Sequence, residues 1–119
     1  MKHQGIALNL WLDDNQRIRK FELCGHAGYA EYGLDIVCAA VSALSISAVY
    51  GLEFYLPCKP EVEVDDPQGF LSCTLPECEP GTLDHAQWIS GTMVLGVEGI
   101  QQSYGEQYVT INRRRWTPC

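Results

Sequence analysis

Positive charge is scarce in this chain and missing from much of it. Eight Lys and Arg face fifteen Asp and Glu, for a net charge of −7 and a pI near 4.7. From Glu61 to Asn112 there is no Lys or Arg at all, against nine carboxylates. Proteins that grip a phosphate backbone carry the opposite balance, so direct nucleic-acid binding is not expected. An acidic surface suits a basic protein partner instead. A clean membrane-length apolar run is also missing. The longest uncharged run, Ile36 to Leu52, is interrupted by Ser42, Ser45, Ser47, Tyr50 and Gly51 and flanked by Asp35 and Glu53. Acidic flanks and small polar residues read as a buried helix, so no membrane partner is expected. Near Met1, Asn9 and then Asp13-Asp14 break up the apolar residues, and no secretory leader is expected. The six cysteines are therefore expected to be reduced thiols in the cytoplasm. There is no Cys-x-x-Cys; neither Cys24-x-His26 with Cys38 nor Cys73-x4-Cys78 with His85 has the spacing of a closed zinc site. No metal and no cofactor is expected.

What is present is an ordinary globular mixture, 46% hydrophobic and 19% charged over 119 residues, enough for one domain. Ile6, Leu8, Leu10 and Leu12 alternate as in a strand with one buried face, and Asp13 to Gln16 forms a polar turn. Arg17 to Cys24 returns as a second strand with Phe21 and Leu23 inward. Gly25 to Leu34 reads as a loop rich in Gly and Tyr. A helix follows from Asp35, its N-cap, to about Tyr55, apolar on nearly every side and hence central. Pro57 and Pro60 close it. Glu61 to Val64 and Gly69 to Leu75 read as a hairpin. After an acidic loop, Asp84 caps a second helix, with Gln87 three residues on as in a capping box. Ala86, Ile89, Met93, Val97, Ile100 and Tyr104 form its apolar stripe, and Gly91, Gly96 and Gly99 are expected to allow close backbone packing. Tyr108 to Ile111 is the last strand. The expected fold is α+β: a two-layer sandwich of ββαββαβ order, its sheet carrying two helices, one central and buried. The domain is expected over residues 1–112, with a short basic tail at 113–119 that begins Arg113-Arg114-Arg115.

The chemistry concentrates in Gly25-His26-Ala27 and Gly33-Leu34-Asp35-Ile36-Val37-Cys38. A strand ends at a His, a glycine-bounded loop follows, and a Cys lies in the first turn of the central helix. With Asp35 as N-cap, Cys38 is N3, among backbone N–H groups that lack an intrahelical acceptor. The helix dipole and those donors favour a thiolate there, and the N–H groups around Val37 and Cys38 could form an oxyanion hole. His26 is placed to take the thiol proton and return it to a leaving amine. Residue types and placement suit nucleophilic acyl transfer. The plain reading of each residue is structural: a Cys on an apolar helix is more often a small hydrophobe, and Asp35 is explained by capping alone.

Gly25-His26-Ala27, then Gly33, then Asp35-Ile36-Val37-Cys38-Ala39-Ala40-Val41-Ser42 resembles the signature of the Prp family, the bacterial ribosomal-processing cysteine proteases. The resemblance implies a cytosolic endopeptidase that removes the N-terminal extension of the twenty-seventh protein of the large ribosomal subunit, a basic substrate. It implies Cys38 as nucleophile, His26 as general base and acid, and Asp35 as an orienting or helix-capping residue. It also implies a homodimer, and a loop between His26 and Cys38 that shifts to admit substrate. Gly28 and Gly33 are candidate hinges of that loop, Tyr29 and Tyr32 candidate walls of the substrate cleft, and Ser42, one turn past Cys38, a further lining residue. The competing reading is a non-catalytic, ribosome-associated module in which the same loop only holds a peptide.

Overall fold

The computed structural model describes residues 5–25, 32–65 and 69–117, with residues 32–35 described by their backbone. Seven elements follow in the expected order: β1 (Ile6–Leu12), β2 (Ile18–Cys24), α1 (Tyr32–Tyr55), β3 (Glu61–Asp65), β4 (Phe70–Thr74), α2 (Pro80–Tyr104) and β5 (Val109–Arg115). The five strands form one sheet in the order β3-β4-β2-β1-β5, antiparallel except for the parallel β1–β5 pair.

Register puts the apolar residues on one side of that sheet. Leu8 pairs with Leu23 on β2 and Ile111 on β5, Leu10 with Phe21, Ile6 with Val109, and Leu23 with Leu71. These residues, partly or wholly buried, share one hydrophobic cluster with the inward residues of both helices. The alternate residues Asn9, Trp11, Lys20, Glu22, Asn112 and Arg114 occupy the other side, where Trp11 lies between the Lys20 and Arg114 cations. The result is a two-layer α+β sandwich.

The helices differ from expectation in three ways. First, α1 is not enclosed. Val37, Val41, Ser45, Ala48, Val49 and Leu52 are buried, whereas Ile36, Ile46, Tyr50 and Phe54 form an exposed apolar stripe, Phe54 at 80%. Although the Ile36–Tyr55 stretch is long and apolar enough to cross a membrane, its buried side packs in the core cluster. Second, α2 begins at Pro80, whose missing N–H suits a first turn, so Asp84 and Gln87 are no capping box. Asp84 instead accepts from Arg17 Nε at 2.7 Å. Gln87 Oε1 accepts the Ile18 N–H at 2.7 Å while its Nε2 donates to the Ile18 carbonyl at 3.1 Å. The side chain thus stands in for a strand where the β1–β2 register shifts beside Leu12. Third, of Gly91, Gly96 and Gly99 only Gly96 makes a close approach: an added Cβ would lie 2.8 Å from Leu44 Cδ1 of α1, while Gly91 and Gly99 face open space.

The basic end is not a tail. Arg113, Arg114 and Arg115 belong to β5, paired in parallel with Leu10, Trp11 and Leu12, and Arg113 binds Glu98 at 2.8 Å. Pairing to β1 continues β5 as far as β1 itself runs. Arg17, Arg19 and Lys20 lie at the same end of the sheet, and Arg17 and Arg19 pair with Asp13, Asp84 and Glu77. The reduced state expected for every cysteine is also corrected: Cys58 and Cys78 are joined by a disulfide, since the loops after α1 and before α2 meet at one end of the helix layer.

Removing the Gln87 brace strands the half-buried backbone polar groups of Ile18. Gln87→Ala is expected to lower stability by about 2 kcal/mol in urea unfolding. A second expectation concerns alkaline pH. Burial, with the Glu53 carboxylate adding to it, pushes the Cys73 thiol up to about 12. The unfolded thiol ionises near 8.5 while the folded one keeps its proton. Its contribution is therefore complete below that pH and is lost as pH rises towards 12. In melting curves from pH 8 to 11, Cys73→Ala should lose stability less steeply than the wild type.

Candidate active site

β2 ends at Cys24 and the chain turns at Gly25, whose φ is +119°. A Cβ at Gly25 would sit 2.9 Å from the Gly5 carbonyl oxygen and 3.1 Å from Ile6 Cα, so both conformation and space demand glycine. His26 follows directly. Residues 26–31 then lead from the end of β2 to the start of α1, which fixes both to one end of the sandwich. His26, Gly28 and Tyr29 lie outside the described residues, and Tyr32, Gly33 and Asp35 are described by backbone alone.

The start of α1 corrects the capping assignment. The helix begins at Tyr32, so Asp35 lies inside it and is not the N-cap, and Gly33 and Tyr32 are helical rather than loop residues. A single glycine costs a helix only about 1 kcal/mol, too little to stop it at Gly33. Cys38 accordingly sits in the second turn, where backbone N–H groups are engaged in the i→i−4 ladder. Neither it nor Val37 offers the open N–H groups required for an oxyanion hole. The dipole also fades beyond the first turn. The turn around Cys38 is closely packed: Val37 and Val41 have no exposure, Cys38 retains 9%, and Ser42 on the next turn is half-buried.

Its surroundings set Cys38 apart from the other described cysteines. Cys73 is 1% exposed and held strongly protonated by burial. Cys24 donates to Glu22 Oε1 at 3.5 Å, and its thiol is pushed up by burial and then by the Glu22 charge. Cys58 and Cys78 are consumed in the disulfide, which also removes Cys78 from the incomplete Cys73/Cys78/His85 set. A nucleophile needs a thiolate within reach of substrate. None of these four provides one.

Sequence reasoning missed the polar ladder behind the end of β2. Asn112 Nδ2 donates to Asn9 Oδ1 at 2.9 Å, Arg114 also donates to that oxygen at 3.4 Å, and Asn9 Nδ2 donates to Glu22 Oε1 at 3.3 Å. The ladder crosses β5, β1 and β2 on the open side of the sheet and stiffens the strand that precedes His26. Asn9 between Leu8 and Leu10 was its one readable sign. A groove of about 610 Å3 lined by Leu12, Ile18, Trp88, Leu95 and Arg113 lies towards the opposite end of the strands from Cys24.

Residues 6–110 match the family described as "Cysteine protease Prp". The chain is 32% identical over 97 residues to the ribosomal processing cysteine protease Prp of Bacillus subtilis, an alignment that covers 80% of this chain and 87% of the relative. It is 31% identical over 104 residues to the Staphylococcus aureus protein of the same name, covering 85% and 92%. Among solved structures, the S. aureus ribosomal processing protease Prp in complex with a substrate peptide superposes with a TM-score of 0.80 at 26% identity, covering 92% of this chain and 99% of that one. With the match spanning β1 to β4, both helices and the start of β5, this chain belongs to the Prp family of cysteine proteases.

Proposed function

We propose that the protein is a cytoplasmic endopeptidase that trims the N-terminal extension from the twenty-seventh protein of the large ribosomal subunit. The observation that carries this reading is the position of Cys38, in the second turn of α1 at the end of the sandwich where β2 leads into His26. The relatives' names specify ribosomal processing, and one relative is solved with a substrate peptide. The net charge of −7 suits a basic substrate.

In this reading His26 accepts the Cys38 proton as the sulfur attacks the scissile carbonyl. The tetrahedral intermediate collapses to a thioester, and His26 returns the proton to the departing amine. Water, deprotonated by His26, then cleaves the thioester and regenerates the thiol. Because Cys38 lies beyond the first turn of α1, the imidazole rather than the helix dipole activates it. Asp35, one turn before Cys38, orients the pair. Gly28, Tyr29, Tyr32, Gly33 and Ser42 shape the substrate cleft. The exposed Ile36, Ile46, Tyr50 and Phe54 stripe is the surface through which a second copy docks, since a contiguous apolar face on a long helix marks an association site.

Cys38→Ala and His26→Ala are each expected to lower cleavage of the unprocessed ribosomal protein by at least about 1000-fold, read by mass measurement of both fragments, with circular dichroism unchanged. Wild-type rates in either variant would overturn the assignment. Iodoacetamide at neutral pH should label Cys38 selectively, and His26→Ala should quench that labelling. An inert Cys38 with intact peptide binding would instead identify a non-catalytic module. Phe54→Glu combined with Ile46→Glu should convert the dimer to a monomer in light scattering.

A further inference from the structure

We propose that Cys58 and Cys78 are a reversible redox site, closed by a low-molecular-weight disulfide and opened by a thiol, that fastens the base of the β3–β4 hairpin. The two residues are bonded, with Cα atoms 7.0 Å apart and a sequence separation of 20. That separation encloses β3 and β4 and little else, and β3 is an edge strand held on one side only. Cys58 follows the end of α1 and Cys78 precedes the start of α2. One bond therefore ties the two helix ends together and shuts the hairpin between them.

The local chemistry suits exchange rather than permanent closure. Both cysteines are half-buried, which leaves them accessible to a small reagent. Each lies in a loop bracketed by prolines, Pro57 and Pro60 around Cys58, Pro76 and Pro80 around Cys78. Fixed φ angles limit how far either loop wanders after the bond opens, so a high effective concentration favours re-closure. Lys59 beside Cys58 favours the attacking thiolate, while Glu77 and Glu79 on either side of Cys78 oppose it there. In the closing sequence Cys58 attacks the small disulfide, forms a mixed disulfide and releases one thiol. Cys78 then attacks the Cys58 sulfur, forms the internal bond and releases the second thiol. Two protein thiols are oxidised, one external disulfide is reduced to two thiols, and the two protein protons end on those thiols.

The placement separates this chemistry from Cys38. From Cys38 to the end of α1 at Tyr55 the helix rises about 25 Å. Cys38 and Cys73 are buried, and the Cys24 thiol is engaged by Glu22. The protein is thus able to hold a disulfide and a catalytic thiol simultaneously. In the cytoplasm such a bond belongs to the transient, sensing kind.

The test uses the full chain, reduced with a phosphine and then incubated with oxidised glutathione. Intact mass should fall by about 2 Da per bond formed, and peptide mapping should recover Cys58 cross-linked to Cys78. The oxidised form should melt about 10 °C above the reduced form. β3 amides should exchange more slowly in the oxidised form, and dithiothreitol should reverse all three changes. A Cys58→Ser/Cys78→Ser variant should melt like the reduced protein in both conditions. Glutathione adducts without the cross-link would overturn the proposal. So would a cross-link that leaves both the melting temperature and β3 exchange unaltered.

Discussion

The two-layer architecture depends on covering one apolar side of a five-stranded sheet, and α1 does a large share of that covering. Val37, Val41, Val49, Leu52 and their neighbours enter the same cluster as Leu8, Phe21 and Leu71. Burying each large aliphatic side chain contributes roughly 1.5–3 kcal/mol, so the helix cannot rotate or slide without a large loss. Cys38 is covalently part of that anchored surface, between two valines with no exposure. The strand that precedes His26 in sequence, β2, is hydrogen-bonded on both sides.

Strand alternation was fully legible. Ile6-x-Leu8-x-Leu10 and Phe21-x-Leu23 have no other economical explanation, and the parity of β4 and β5 follows the same rule. Helix starts were not. Asp35 and Asp84 look like caps because carboxylates satisfy N–H groups at a first turn, but nothing in the preceding residues forbade the helices from starting earlier. At α2 the better signal was Pro80, tolerated only in a first turn. The extent of α1 burial was misread for a different reason. A helix apolar all round gives a periodicity argument nothing to separate, so its exposed Ile46–Tyr50–Phe54 stripe could not be told from its buried one.

The family was legible in the sequence, the setting of Cys38 less so. The order of His26, glycines and Cys38 identified thiol chemistry and the family, while the physical reason first attached to Cys38, a place at the helix threshold, does not hold. Two interactions were invisible in principle. The Gln87 contact with both polar groups of Ile18 spans sixty-nine residues and depends on a register shift. The Cys58–Cys78 bond depends on where two loops meet, which six cysteines and their spacings leave undetermined.

The ion pairing at one end of the sheet has an electrical consequence. Arg17, Arg19, Arg113 and Arg115 are largely neutralised where they stand by Asp13, Asp14, Glu77, Asp84 and Glu98. Among the described residues, Glu22, Glu53, Glu61, Glu63, Asp65, Glu79 and Glu106 have no such counter-ion, and they are spread from β2, the end of α1 and the β3–β4 hairpin to the turn before β5. The surplus negative charge therefore lies outside the ion-paired basic end rather than on it. A cationic chain diffusing nearby is attracted by that excess before any contact forms, more strongly in dilute electrolyte than in concentrated.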